Sequence, residues 1–332
     1  MIISVKKSIY IGGSVKMKQV KKFRLASIAA IVSILFVLAG CGSTQNSSKE
    51  NSDNSQKVSV QHELGKTKVP KNPKKVVVLE LSFVDALQGL GMKPVGIADD
   101  NKKDMIEKLV GGKINYTSVG TRQQPNLEVI SSLQPDLIIA DVQRHKAIYK
   151  ELNKIAPTIE LKSRESTYEE NIDSFKTIAK AVGKEKKAEQ RLNEHEETIS
   201  KLKNELKEES GQTVLPAVVR DTSFQAHTSS SYDGEFLEKL GLKNAVKNKE
   251  AYAEMNLEQL SDINPDILIL ANNEGKLVTD EWKTNPLWKN LKAVKNDKVF
   301  VVDRDLWTRF RGVISAEAIG KDTVKLLNNK QQ

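Results

Sequence analysis

NLEVISSLQPDLIIAD at 126–141 and NLEQLSDINPDILILA at 256–271 are one pattern written twice, 130 residues apart. In each copy Asn-Leu-Glu is followed, nine residues after the Asn, by Pro-Asp and an apolar run, and Ser131 and Ser261 coincide as well. The pattern reads as a short helix, a stop at proline, and a strand apolar at every position. Such a strand is covered on both faces, as in a parallel sheet between helices.

The same alternation extends outward from the first copy. Lys75-Val76-Val77-Val78-Leu79 reads as a buried strand, Asp85 to Gly91 as a helix ending at glycine, and Pro94 to Ala98 as a second strand. Strand–helix alternation predicts an α/β architecture. The repeat predicts two lobes of related build, each with a parallel sheet. Between the copies lie Tyr168–Val182, Gly183 and the charged stretch Lys184–Glu209. The latter carries a narrow apolar stripe of Ala188, Leu192, Ile199, Leu202 and Leu206. A helix of this length runs ~36 Å and could bridge two lobes stiffly. A coiled-coil pair is the weaker reading, because the heptad run is short. The expected organisation is a signal peptide at 1–40, a tether at 41–57, an N-terminal lobe at 58–166, a connecting helical segment at 167–209 and a C-terminal lobe at 210–332.

The front end reads as an address. Lys18, Lys21, Lys22 and Arg24 precede an apolar run from Leu25 to Ala39, too short for a membrane span of ~20 residues. Leu38-Ala39-Gly40-Cys41 then has the form of a bacterial lipobox. The implied chemistry is diacylglycerol thioether formation at Cys41, cleavage before it and acylation of the new amino terminus. Two or three chains hold a protein on a membrane where one is marginal. A buried cysteine in a membrane helix fits less well, since the apolar run stops at the cysteine. GSTQNSSKENSDNSQK at 42–57 lacks apolar content and reads as a spacer. Met17 is the start that gives a signal peptide of ordinary length. The expected location is the extracytoplasmic face of the cell membrane.

The net charge of +9 comes mostly from this leader, which holds seven basic residues and no acids within 1–40 and leaves 45 basic against 43 acidic residues beyond it. With aromatic residues at 5%, neither a basic nucleic-acid groove nor a stacking platform is indicated. The single cysteine excludes a disulfide framework. There is no G-x-S-x-G, H-E-x-x-H, P-loop or G-x-G-x-x-G, so nothing asks for catalysis.

Arginine is scarce: nine residues, against 43 lysines. Six of them, Arg122, Arg144, Arg164, Arg220, Arg309 and Arg311, fall in loop-like places near strand ends, where α/β sheets bind ligands. A guanidinium fork suits carboxylates and phosphates and keeps its charge when partly buried. Taken singly, each arginine reads as a surface ion pair; six in shared positions favour a cleft for a multiply charged anion. His145, beside Arg144, and His227 read equally as hydrogen-bond donors to that anion or as structural residues. A direct metal site through them lacks the further ligands it would want. Glu128 and Glu258 hold matching first-turn positions. They read as helix-dipole partners or as one acidic knob per lobe facing a two-fold partner.

Gly120-Thr121-Arg122-Gln123-Gln124-Pro125-Asn126-Leu127-Glu128 continues into Gln134–Asp141, Arg144-His145, Ile155–Thr158 and Leu161–Arg164. The chain closes with Leu306–Gly312 and Asp322–Lys325. Over about residues 60–328 this resembles the substrate-binding lipoproteins of iron–siderophore ABC importers, and among them the ferric citrate binders. Gln143 departs from the pattern, where a smaller residue is expected, and the segment around His227 matches less closely. The resemblance implies two Rossmann-like lobes with little hinge motion, held by a long helix, and an iron(III)–citrate complex between them. It also implies docking of Glu128 and Glu258 onto arginines of a dimeric permease. Citrate would ligate the iron, so the protein need not. The six arginines would grip its carboxylates, and Trp307 would pack on the ligand or sit in the core. Other ferric siderophores (catecholates or hydroxamates), a direct metal-ion binder and a lipid-anchored hydrolase are the rival readings.

Overall fold

The computed structural model describes residues 57–328 apart from Glu274. The expected signal peptide, Cys41 and all but the last residue of the tether lie outside the described residues, as do the last four residues of the C-terminal segment. No helix among the described residues is long and apolar enough to cross a membrane.

The first sheet has the order β5-β4-β3-β6-β7, with β3 at Val76–Val78, β4 at Gly96–Ile97, β5 at Thr117–Ser118, β6 at Leu137–Asp141 and β7 at Thr158–Leu161. All four of its pairings are parallel. Its central strands β3 and β6 are buried at every position, as their unbroken apolar sequence predicts. The second sheet runs β11-β9-β8-β12-β13, with β10 (Lys243–Asn244) also on β8. Its strands are β8 at Thr213–Val219, β9 at Phe224–His227, β11 at Tyr252–Glu254, β12 at Ile267–Ala271 and β13 at Val299–Val302. This sheet corrects the expectation of parallel sheets throughout. β9 runs antiparallel to both β8 and β11, so the sheet is mixed. The reason is local: residues 220–223 turn β8 straight back into β9, whereas a parallel return needs a crossover of a dozen or more residues.

The sequence repeat is a structural repeat. Asn126 and Asn256 cap the helices Leu127–Ser132 and Leu257–Ile263, their side chains accepting from N–H groups of the first turn. Each helix is followed by a left-handed residue, Gln134 (φ 49°) and Asn264 (φ 47°). Each Pro-Asp aspartate then ties its strand to the neighbouring one. Asp136 accepts from the N–H groups of Lys74 and Lys75 at 2.7 and 2.8 Å, and Asp266 from Thr213 N–H at 2.9 Å.

The segment between the sheets is two helices, Tyr168–Ala181 and Glu185–Glu205, broken at Gly183. Gly183 has φ +66°, and a Cβ there would lie 2.6 Å from the Lys71 carbonyl oxygen. The apolar stripe of the second helix packs inward. Ala188, Ile199, Leu202 and Leu206 join one continuous core cluster that reaches from Val60 to Leu327 and so includes residues of both sheets' layers. The helix Val313–Asn328 crosses this helix closely at Gly320, where a Cβ would come within 2.7 Å of Leu202. A hairpin of β1 (Lys57–His62) and β2 (Gly65–Pro70), which no pattern in the sequence predicts, precedes the first sheet.

Candidate anion-binding cleft

The loops at the carboxyl ends of β5, β6 and β7 face those after β8 and β13, and a cavity of about 220 Å³ opens between them. All six expected arginines line it: Arg122, Arg144 and Arg164 from the first half of the chain, Arg220, Arg309 and Arg311 from the second. A seventh, Arg304, joins them.

Two carboxylates organise these cations. Glu80 follows β3, caps the helix Leu81–Gly89 and is fully buried. Its Oε1 accepts from Arg144 Nε at 2.5 Å; its Oε2 accepts from Arg122 at 3.3 Å and from Arg311 at 3.1 Å. Burial works to raise its pKa, but Arg122, Arg311 and Arg144 outweigh that and hold the carboxyl below its ordinary range. Asp100 follows β4 and accepts from Arg122 Nε at 2.9 Å, from a terminal Arg122 nitrogen at 2.6 Å and from Arg309 at 3.0 Å. Asp100 and Asn101 both have left-handed backbones, at φ 55° and 58°. Asp and Asn tolerate that region better than most residues. Asp99 beside them holds the turn by accepting from Tyr116 and Ser118 hydroxyls.

Asp141 at the end of β6 fixes two arginines, Arg144 again and Arg164, through their backbones. It accepts from the N–H groups of Arg144 at 3.0 Å and Arg164 at 3.1 Å. Burial, and then the neighbouring Glu80 charge, push its pKa up to about 6. Arg311 has φ 47°, and its guanidinium donates to the Thr308 carbonyl as well as to Glu80. Residues held in this region persist where surrounding contacts over-determine them.

The two histidines part company. His145 is fully buried and does not line the cavity. Its Nδ1 accepts from Asp141 N–H at 3.0 Å and its Nε2 donates to the Arg122 carbonyl at 2.8 Å, so both ring nitrogens are spent on backbone. Burial lowers its pKa, consistent with a neutral ring. The direct anion contact expected of His145 is thus corrected to a place behind Arg122. His227 does line the cavity. Its Nδ1 is 2.8 Å from both oxygens of Asp233, which leaves Nε2 as the ring nitrogen available to a ligand. Trp307 is corrected too. It is 1% exposed, donates from Nε1 to Asp322 at 2.8 Å and belongs to the core. Tyr252, packed at 4.7 Å on the His227 ring, and Thr308 line the cavity although the sequence did not single them out.

Glu128 and Glu258 are both exposed, each in the first turn of its repeat helix and away from the cavity. No group of His, Cys, Asp and Glu able to hold a metal ion occurs among the described residues. Chemically, a cavity lined by this many guanidinium groups suits an anion, with carboxylate and phosphate both matching the fork.

Two sheets of this order, a helical connection and a polar cleft between them define a binding protein of the two-lobed kind. Residues 76–306 match the family model described as periplasmic binding protein, and the chain belongs to that family. It is a substrate-binding protein rather than an enzyme. The chain is 59% identical to the Fe(3+)-citrate-binding protein YfmC of Bacillus subtilis over 308 residues, covering 91% of this chain and 98% of that one. It is 40% identical to the Fe(3+) dicitrate-binding periplasmic protein FecB of Escherichia coli, over 82% of this chain and 90% of that one. Among solved structures, Staphylococcus aureus SirA complexed with staphyloferrin B superposes with a TM-score of 0.70 at 27% identity, over 82% of this chain and 98% of that one.

Proposed function

We propose that this protein captures ferric citrate outside the cytoplasm and delivers it to the permease of an ABC importer, held at the membrane by lipid on Cys41. The observation that carries the reading is the convergence of seven arginines from both halves of the chain on one cavity. Citrate wraps ferric iron and leaves carboxylates outward, and guanidinium forks match them. Citrate supplies the iron ligands, which agrees with a cavity lined by seven arginines, with one histidine and one tyrosine and without a carboxylate or thiol among the described residues lining it. The similarity to YfmC and FecB, both named for this ligand, supports the choice of citrate over other chelators. Glu128 and Glu258, exposed at matching positions of the two repeats, are suited to a two-fold symmetric permease. The segments 58–166, 167–209 and 210–332 then act as two binding lobes and their connector.

Calorimetric titration tests the reading. Ferric citrate binds, and binding weakens as salt rises because partly exposed charge pairs are screened over ~8–10 Å. A neutral ferric hydroxamate does not bind. Equal binding of the two chelates contradicts an arginine-based site.

A further inference from the structure

Charge on the outer surface is segregated. Beyond residue 40 the chain is nearly balanced, with 45 basic and 43 acidic residues. Residues 57–75 nevertheless hold six lysines and one acid, Glu63, and residues 180–187 hold four lysines and one acid, Glu185. The fold brings these two stretches together. The Lys71 carbonyl lies beside Gly183, at the elbow between the helices Tyr168–Ala181 and Glu185–Glu205.

The place where they meet is the end opposite the cleft. Lys74 and Lys75 precede β3, and their N–H groups are held by Asp136, which precedes β6. Lys93 precedes β4, and Val95 N–H donates to the Val76 carbonyl, which sets Lys93 at the same level. In the hairpin Lys57 stands opposite Pro70, next to Lys71. Since the first sheet is parallel, these lysines gather at strand amino ends, whereas the arginines gather at carboxyl ends. Lys57, Lys74, Lys75, Lys93, Lys180 and Lys184 are all exposed. Among the described residues no carboxylate forms an ion pair with any of their amines.

The chain also arrives from the leader at this end. Lys57 opens β1, and sixteen residues separate it from Cys41. Fully extended, sixteen residues span ~53–58 Å at most. An anchor at Cys41 therefore keeps the lysines within reach of lipid headgroups. Each lysine close to an anionic leaflet strengthens the attraction about fivefold, within a Debye length of ~8 Å.

We propose that this lysine face, at the strand amino ends of the first sheet and the elbow at Gly183, rests on anionic phospholipid headgroups of the membrane that carries the anchor, and so turns the cleft away from the bilayer. The sign of the charge and the point where the chain enters both select lipid as the partner. The proposal rests on the lipid anchor proposed above and adds an orientation to it.

The test uses the full chain, processed and lipidated in a bacterial membrane, then reconstituted into vesicles of phosphatidylcholine alone or with about 30% phosphatidylglycerol. Acylation of each lysine amine is followed by mass spectrometry, with exposed Lys102, on the turn after β4 at the cleft end, as the reference. Lys74, Lys75, Lys180 and Lys184 are expected to react at least about threefold more slowly on the anionic vesicles, with Lys102 unchanged, and the protection to fade as salt rises. The triple variant Lys74→Glu, Lys180→Glu, Lys184→Glu is expected to lose the protection at Lys75 while keeping the wild-type melting temperature. Equal reactivity of the wild type on both kinds of vesicle overturns the proposal. So does protection by soluble polyphosphate without protection by anionic vesicles, which would give the face to a polymer. Escape of the wild type from neutral vesicles contradicts the lipid anchor, and the lysine face then stands or falls on protection by the anionic vesicles alone.

Discussion

Glu160 shows how far a single side chain can sit from its preferred state. It lies on β7, fully buried, and neither carboxylate oxygen has a hydrogen-bond partner. Burial, and then the charge of Asp141, push its pKa from 4.5 up to about 7. The folded chain therefore holds this proton more firmly than the unfolded chain does. Stability from this group is fully present below about 4.5 and is lost as pH rises through about 7. Glu160→Gln is expected to raise the urea midpoint at about pH 8 and to give little gain at about pH 5. Urea unfolding at the two pH values checks it, and an equal effect at both would show that the carboxyl does not titrate in this window. Glu80 is the opposite case. Its partners Arg122, Arg144 and Arg311 are 42, 64 and 231 residues away in sequence, which is why Leu79-Glu80-Leu81 reads as an ordinary strand end. The arginines were legible because they are rare and sit near strand ends. Their buried counter-ions were not, because one carboxylate among 43 carries no local mark.

At the level of elements, what repeats or alternates was legible, and what depends on one turn was not. The Asn-Leu-Glu and Pro-Asp copies identified two matching helix–strand units, and both strands are buried at every position. The reversal of β9 hangs on residues 220–223, and the β1–β2 hairpin turns at Glu63-Leu64 within a stretch whose outward side chains are charged or polar. The helix Val313–Asn328 is held in a way no local sequence announces. Asp85, from the helix Leu81–Gly89, accepts from the N–H groups of Ile314 at 2.9 Å and Ser315 at 2.8 Å and so caps it from the other half of the chain. Gly312 is required beside it, since a Cβ would lie 2.3 Å from the Asp85 carboxyl carbon. Replacing a cap of this kind by alanine costs about 0.5–2 kcal/mol. Asp85→Ala is expected to lower stability by about 1–2 kcal/mol and to speed amide exchange at residues 314 and 315. Hydrogen exchange with a denaturation curve measures both, and unchanged protection there would mean that the cap contributes nothing.

Across the molecule, Glu80 with Arg311, Asp100 with Arg309, Asp85 with residues 314 and 315, and Lys108 with Asp303 tie the first half of the chain to the second around the cleft. Together with a core cluster that spans both halves, these ties oppose wide opening. A cleft preorganised in this way spends little of its binding energy on closure. The most direct measurement is the crystal structure of the protein with ferric citrate. The chelate is expected between the sheets, its carboxylates within hydrogen-bond distance of guanidinium groups from both halves and no protein atom bound to iron. A chelate on an outer surface, or iron coordinated by a protein side chain, would contradict it.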